Sequence, residues 1–315
     1  MNIFIGTAGF SYKDWEGTVY PQDLKKQKIH PLEYLAQFFD CCEINTSFYG
    51  HIKPEIGKRW AAMVSAVNPG FLFTAKLNRA FTHSPLAVIQ ATSAETLHPL
   101  PEDETLAKAG LDSLANTGRL GALLIQFPIS FKNTPENQTY LDQVLKKFSV
   151  YPRVLEVRHA TWNSPQLFAR LAEQSVGFAN IDQPILGKAI RPTDYVTSHI
   201  GYVRLHGRNY KNWFDSEHRN DRYDYLYTRA ELEGWVERIK TVSASAVKTF
   251  VITNNHPDGK AAVSALEIEH LLRGKKVKAP ESLIAKHPRL EPFAEAERST
   301  ERLLKARQSA IFPRN

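Results

Sequence analysis

Cysteine is scarce in this chain of 315 residues: Cys41 and Cys42 are the only two, and they are adjacent. No disulfide framework can be built from them, and a zinc site made of several cysteines is excluded. Both fall inside an apolar run and read as small core hydrophobes. Long hydrophobic runs are also missing, so no membrane span is expected. The first residues carry neither a basic segment nor a long apolar stretch, which predicts no secretory signal and a cytoplasmic setting. No Gly-x-Gly-x-x-Gly follows the first apolar run, which weakens a dinucleotide-binding open sheet. No His-x-x-x-His or similar short metal spacing occurs, and no internal repeat or low-complexity tract is visible.

What is present bounds the answer loosely. A hydrophobic content of 43% is ample for a packed core. The formal charge of +7 and a pI near 9.2 favour anionic partners, whether nucleic acid, phosphorylated metabolites or carboxylates, or describe a merely basic solvated surface.

Eight short apolar runs recur along the chain, over 3–7, 41–45, 71–76, 122–126, 154–158, 176–182, 202–206 and 249–255. They lack strict polar alternation, as strands buried on both faces do. Helical periodicity separates them, over 31–39, 54–67, 135–148, 165–174, 229–242 and 260–272. Pro135 and Pro165 follow Thr134 and Ser164 as helix-start pairs, and Gly274 stands where a left-handed C-cap belongs. This rhythm predicts a TIM-type (β/α)8 barrel over 1–274. An extension over 275–315, with a charged helix over 292–307, is expected to pack on it. Two long connections stand out: 78–106, read as a surface excursion before its helix, and 207–227, dense in aromatics and charges.

Polar residues gather at the ends of seven runs, and in a parallel barrel those ends meet at one mouth. Thr7 is the weakest of them. Arg204 and His206 share a strand face by the period of two, and Arg208, Tyr210, Lys211 and Trp213 follow. Positive charge interleaved with flat rings suits a phosphate or carboxylate beside a base or sugar. Glu156 and Arg158 also share a face and would satisfy each other as a buried ion pair. His159 follows them. Glu156, Asp182 and His206 lie on successive strands, offering an acid/base set or the ligand types of a divalent metal. Glu43 and Asn45 lie across the barrel, with Lys76 placed either to stabilise an anion or to pair with Glu43. Gln126, Tyr49, Asn254 and Asn255 complete the ring of candidates for substrate binding. After the eighth run, backbone amides near Lys260 suggest an anion cradle. Tyr12 and Trp15 either line the mouth or staple the first loop.

An ordered set of segments carries a family resemblance: Gly6, Thr7, Ala8 and Gly9 with Trp15, Tyr20 and Pro21; Glu43 through Tyr49; Phe73 to Lys76; Gln126 to Pro128; Glu156 to His159 with Trp162; Arg204 to Gly207; Asn254 to His256. Spread over residues 3 to about 272, they resemble the YecE-like family, the domain of unknown function 72. The resemblance implies a TIM-type barrel and supplies no established reaction. Phe10 and Ser264 depart from the tryptophan and asparagine usual in that family.

Together these features point to an enzyme on an anionic substrate, a hydrolase or an isomerase-like lyase. Glu156, Asp182, His206, Glu43 and Lys76 would be its catalytic groups, and Arg158, Arg204 and Arg208 its anion clamps. The alternative is a nucleic-acid-binding protein without chemistry, using the loop from Arg208 to Arg222.

Overall fold

The computed structural model describes residues 2–83, 99–213, 221–297, 300 and 303. Eight parallel strands close into a barrel in sequence order: β1 (Ile3–Ala8), β2 (Cys41–Ile44), β3 (Leu72–Lys76), β4 (Leu120–Gln126), β5 (Arg153–Glu156), β6 (Gly177–Asp182), β7 (Ile200–Leu205) and β8 (Lys248–Thr253). The seam between β1 and β8 runs from Ile3 opposite Thr249 to Thr7 opposite Thr253. Parallel closure leaves no sheet edge and makes every connection cross the outside of the barrel.

The helices are α1 (Pro31–Leu35), α2 (Pro54–Val67), α3 (Arg79–Thr82), α4 (Pro101–Ala115), α5 (Pro135–Lys147), α6 (Pro165–Glu173), α7 (Arg229–Ser245) and α8 (Lys260–Arg273). Their starts follow from local chemistry. Thr134 and Ser164 accept hydrogen bonds from the Asn137 and Leu167 amides, with proline at the first helical position. Thr228 and Glu231 cap α7 reciprocally. Gly274 ends α8 at φ +63°, as its position predicts.

Three expectations need correction. α4 begins at Pro101, inside the segment read as an excursion, because Asp103 accepts the Leu100 amide at 2.6 Å and nucleates the first turn. Residues 84–98 of that connection lie outside the described residues. The run 31–39 is helical only to Leu35, its last residues turning through tight backbone bonds from Phe38 and Phe39 to Leu35. The charged helix expected from 292 is instead a strand at its beginning. There β10 (Ala294–Glu297) pairs in parallel with β9 (Val277–Pro280), its own residues exposed or half-buried. The later part of that expected helix falls largely outside the described residues. Between these strands, α9 (Glu281–Lys286) and its neighbours reach the barrel. Ser282 donates to the Thr18 carbonyl at 2.7 Å, and Arg289 bonds Glu267 at 2.6 Å and the Tyr227 carbonyl at 2.8 Å.

Aromatic and aliphatic side chains fill the lower barrel. Phe250 occupies the space over Gly121, where a Cβ would lie 2.4 Å from the ring. Cys41 and Cys42 are free and buried in that core. Gly6 is required by the close approach of β1 to β2, since a Cβ there would sit 1.8 Å from the Cys41 carbonyl oxygen. Gly6→Ala is therefore expected to destabilise the fold by about 2–4 kcal/mol, the range of severe overpacking, read as a lowered midpoint in urea denaturation.

Candidate functional site

The exit end of the barrel has two layers. The lower one is a sealed ion cluster. Arg204, 1% exposed, spans the interior from β7. It bonds Glu43 through Nη2 at 2.6 Å and Nε at 3.0 Å, and Glu156 through Nη1 at 3.1 Å. Tyr202 donates to Glu43 at 2.8 Å, with Thr74 3.0 Å from the same hydroxyl. Arg158 closes the cluster from the loop after β5, its Nε donating to Glu156 at 3.0 Å. Two carboxylates thus meet two guanidinium groups, and the cluster is electrically balanced within itself.

His206 sits fully buried beside it. The Asn254 amide nitrogen lies 3.0 Å from His206 Nδ1. With Nδ1 accepting, Nε2 carries the proton and donates to Glu156 at 3.1 Å. The guanidinium groups of Arg158 and Arg204 crowd the same Nε2, at 3.2 and 3.4 Å. Burial first, and Arg158 next, pull the imidazole down to about 3, so it is neutral at physiological pH. Glu156 is held well below the usual carboxylate range despite its burial, by Arg204, His206 and Arg158.

Above this cluster opens a cleft with two lobes that share Phe48, Tyr49, Lys76 and Tyr223. The larger, about 440 Å³, adds Arg79, Arg158 and Arg222 as cations, Gln126 and Gln183 as amides, and Trp213 as a further ring. The smaller, about 260 Å³, is edged by Phe10, Tyr12, Asn45, Asn254 and His256 over Arg204. No described lining residue of either lobe is a carboxylate. Lys76 Nζ stands 3.8 Å over the centre of the Phe48 ring. Burial, then the charges of Arg204 and Arg158, push it down to about 7, with Glu156 and Glu43 offsetting only part of the effect. The Gln183 side chain is 3% exposed and its amide nitrogen has no partner among the described residues. The Nε of Arg222 and the side-chain oxygen of Asn45 are likewise buried and unpartnered there.

The polar exits named by the sequence divide accordingly. Lys76, Tyr49, Gln126, Arg158, Asn45 and Asn254 line the cleft. Glu43, Glu156 and His206 are brought together beneath it, each with 0% exposure. Lys76 does not pair with Glu43, which Arg204 and Tyr202 already occupy.

The Asp182 carbonyl accepts from the His206 amide at 2.9 Å, but the Asp182 carboxylate bonds neither His206 nor Glu156. It accepts three bonds from Arg208, at 2.8, 2.9 and 3.1 Å, and one from Tyr227 at 2.6 Å. Arg208 also reaches Glu231 at 3.0 Å, which ties it to the start of α7 and withdraws it as an anion clamp. Among the described residues no group of three His, Cys, Asp or Glu side chains is placed to hold a metal ion. The proposed metal set is thus not assembled.

His159 turns away to cap the turn at Thr161, with Nδ1 2.8 Å from its hydroxyl. Asn255 points toward α8, donating to Ser264 at 3.0 Å and to the Tyr225 carbonyl at 2.9 Å. The anion cradle expected after β8 is occupied internally. Lys260 pairs with Asp224, and the Asp258 amide donates to Asp14 at 2.7 Å. Trp15 is a staple, donating to the His256 carbonyl at 2.8 Å, whereas Tyr12 stacks on His256 at 4.2 Å and lines the cleft.

Arg79, His83 and Gln183 were not singled out by sequence reasoning. Each lies one to seven residues past a strand exit, where neither period nor motif says which way a loop side chain turns. For Gln183 a signal existed: it follows Asp182 and so has the opposite strand parity.

A closed parallel (β/α)8 barrel, with a balanced arginine–glutamate cluster capped by a cationic, aromatic cleft, is the class of protein these features define. The chain belongs to the family described as "Protein of unknown function DUF72", whose model matches residues 4–289. It is 27% identical over 284 residues to the UPF0759 protein YunF of Bacillus subtilis (strain 168), covering 86% of this chain and 94% of that protein. Two crystal structures of DUF72 family proteins are similar in fold. The one from Thermotoga maritima has a TM-score of 0.72 and 28% identity, covering 87% of this chain and 100% of that one. The one from Enterococcus faecalis has a TM-score of 0.71 and 26% identity, covering 86% and 95%.

Two outcomes follow from the cluster. Arg204→Met leaves Glu43 and Glu156 short of positive charge in a dry interior and should cost about 3–5 kcal/mol in urea denaturation at pH 7. The deficit should shrink toward pH 4, as the uncompensated carboxylates take up protons. The second concerns His206, whose folded value is depressed below its unfolded one, so its stabilisation is present at neutral pH and is lost as pH falls from about 6.5 toward 3. Unfolding free energies measured across that window should decline, and His206→Gln should flatten the decline by up to about 1.4 kcal/mol per pH unit.

Proposed function

We propose that the protein is an enzyme acting on a small anionic molecule, one that carries phosphate or carboxylate next to a sugar, base or other flat ring. The cleft at the exit end of the barrel would bind it, and Lys76 would perform the acid/base step. One observation carries this reading: Lys76, Arg79 and Arg222, with Arg158 already paired to Glu156 beneath them, line one cavity that has no carboxylate among its described lining residues. Like charges gathered in a partly dry cleft repel one another, and an anion entering it relieves that repulsion. Guanidinium groups suit a phosphate or carboxylate by paired hydrogen bonds. Phe48, Tyr49, Trp213 and Tyr223 offer faces for a ring, and the unpartnered amide of Gln183 offers a donor for a hydroxyl or carbonyl.

A lysine titrating near neutrality can take and return a proton at pH 7, which is what proton-transfer chemistry of the isomerase or lyase kind requires. Hydrolysis fits less well, because no carboxylate among the described residues faces the cavity to activate water. A cleft lined by cations does not favour a divalent metal either. In this reading Glu156 and His206 act from below, by holding Arg158 and Arg204 in position.

Titration calorimetry with glycerol 3-phosphate and ribose 5-phosphate tests the site. Wild-type protein should bind at least one, more weakly as salt rises, and Arg79→Gln with Arg222→Gln should weaken binding at least about tenfold, the effect of losing a charge-assisted bond. Absence of binding by either compound, with no change on substitution, removes the reading. The exposed Lys211, two residues before Trp213, supports a second one, nucleic-acid binding without chemistry. Oligonucleotide affinity that falls steeply with salt and depends on Lys211 but not on Arg79 would favour it.

A further inference from the structure

Among the lysines of the described residues, Lys76 alone lines the two lobes of the cleft. Its amine rests on the Phe48 ring and makes no ion pair or side-chain hydrogen bond among the described residues. Position explains why. The two carboxylates within electrostatic reach, Glu43 and Glu156, are already matched by Arg204 and Arg158. The counterion a barrel lysine would ordinarily have is thus spoken for. Three guanidinium groups, Arg79, Arg158 and Arg222, share the same cavity wall. An amine without a counterion, standing beside a site for an anion, is the arrangement a nucleophilic lysine needs.

We propose, building on the anionic-ligand reading, that Lys76 forms an imine with a small aldehyde or ketone that carries a phosphate or carboxylate. The lone pair of neutral Nζ forms a bond to the carbonyl carbon while the C=O π pair moves to oxygen. One N–H proton passes to that oxygen, giving a carbinolamine. A proton from solvent then lets the oxygen leave as water as the nitrogen lone pair closes the C=N bond. The product is a protonated imine. It withdraws electrons from the neighbouring carbon, so that breaking a C–H or C–C bond there becomes easier, and water later returns the amine and a carbonyl. The substrate's own anionic group, held by the arginines, offsets the positive charge of the imine.

Protonation agrees with this geometry. Burial and the nearby arginines bring Lys76 down to about 7, so near neutrality about half of it is free amine. An ordinary lysine offers under about 0.1% at that pH. His83 lines the same cavity and is itself pulled down to about 3 by burial, then by Lys76, Arg158 and Arg79, so it is neutral and does not compete for the anion.

The experiment is reductive trapping. Full-length protein is incubated at pH 7 with pyruvate, dihydroxyacetone phosphate or pyridoxal 5′-phosphate, reduced with sodium cyanoborohydride, and mapped by peptide mass spectrometry. One equivalent of adduct on Lys76 is expected with at least one probe. It should form at least about tenfold faster than on any other lysine, since amine reactivity follows the neutral fraction. Its rate should be half-maximal near pH 7, and glycerol 3-phosphate should suppress it. Pyruvate against dihydroxyacetone phosphate separates a carboxylate-bearing substrate from a phosphorylated one. Lys76→Arg should form no such adduct, and the wild-type map decides the matter even if that variant does not fold. Adduct spread over surface lysines, or absent from Lys76, while wild-type protein still binds glycerol 3-phosphate, overturns the imine and leaves the anion site standing. No binding and no adduct overturn both.

Discussion

Arg204 reaches across the inside of the barrel and holds two glutamates that have no contact with water. Such an arrangement is stable only when every charge is matched and every donor is used. Glu43 comes from β2, Glu156 from β5 and Arg204 from β7, so the cluster ties three separated parts of the sheet at one level. Tyr202 and Thr74 extend it toward the apolar filling below, and Arg158 and His206 extend it toward the mouth. Most of the character of the site follows from this one constraint. Charge balanced inside the cluster is charge denied to the cleft above it.

Lys76 is the clearest consequence. Had either glutamate faced it, the lysine would be an ordinary ion-paired cation with little chemical use. With both glutamates occupied, it stands among guanidinium groups over an aromatic ring, and its proton is loosely held. A second network does similar work at the side of the barrel. Arg208, Asp182, Tyr227 and Glu231 lock the loop after β7 to the start of α7. Anchored there, the loop carries Trp213, Arg222 and Tyr223 to the wall of the cleft.

The chain declared its architecture through short-range signals. The apolar runs lie within a few residues of the observed strands, since burial on both faces selects a composition that can be read directly. Proline at helix starts and Gly274 at a helix end mark boundaries for equally local reasons. The misreadings arose where local signals compete or fall silent. The acidic first turn of α4 looked like a loop because Pro99 and Pro101 immediately precede its acidic residues. The charged segment near residue 294 has a composition that a helix or an exposed strand could share.

The ring of polar residues at the strand exits was legible because strand direction alone sends them to one end of a parallel barrel. Which of them meet was not. Period-two parity placed Arg204 beside His206 and Glu156 beside Arg158, and both pairings appear in space. Pairing across the barrel depends on closure, register and the reach of individual side chains, which no window of sequence contains. Tertiary structure alone therefore set Asp182 with Arg208 rather than with Glu156, turned His159 and Asn255 outward to cap and brace, and gathered Arg79, Arg158 and Arg222 around Lys76. The sequence by itself determined that the residues at the strand exits would reach the barrel mouth. Electrostatic matching in a dry interior decided which are spent on holding it together and which remain free to meet a ligand.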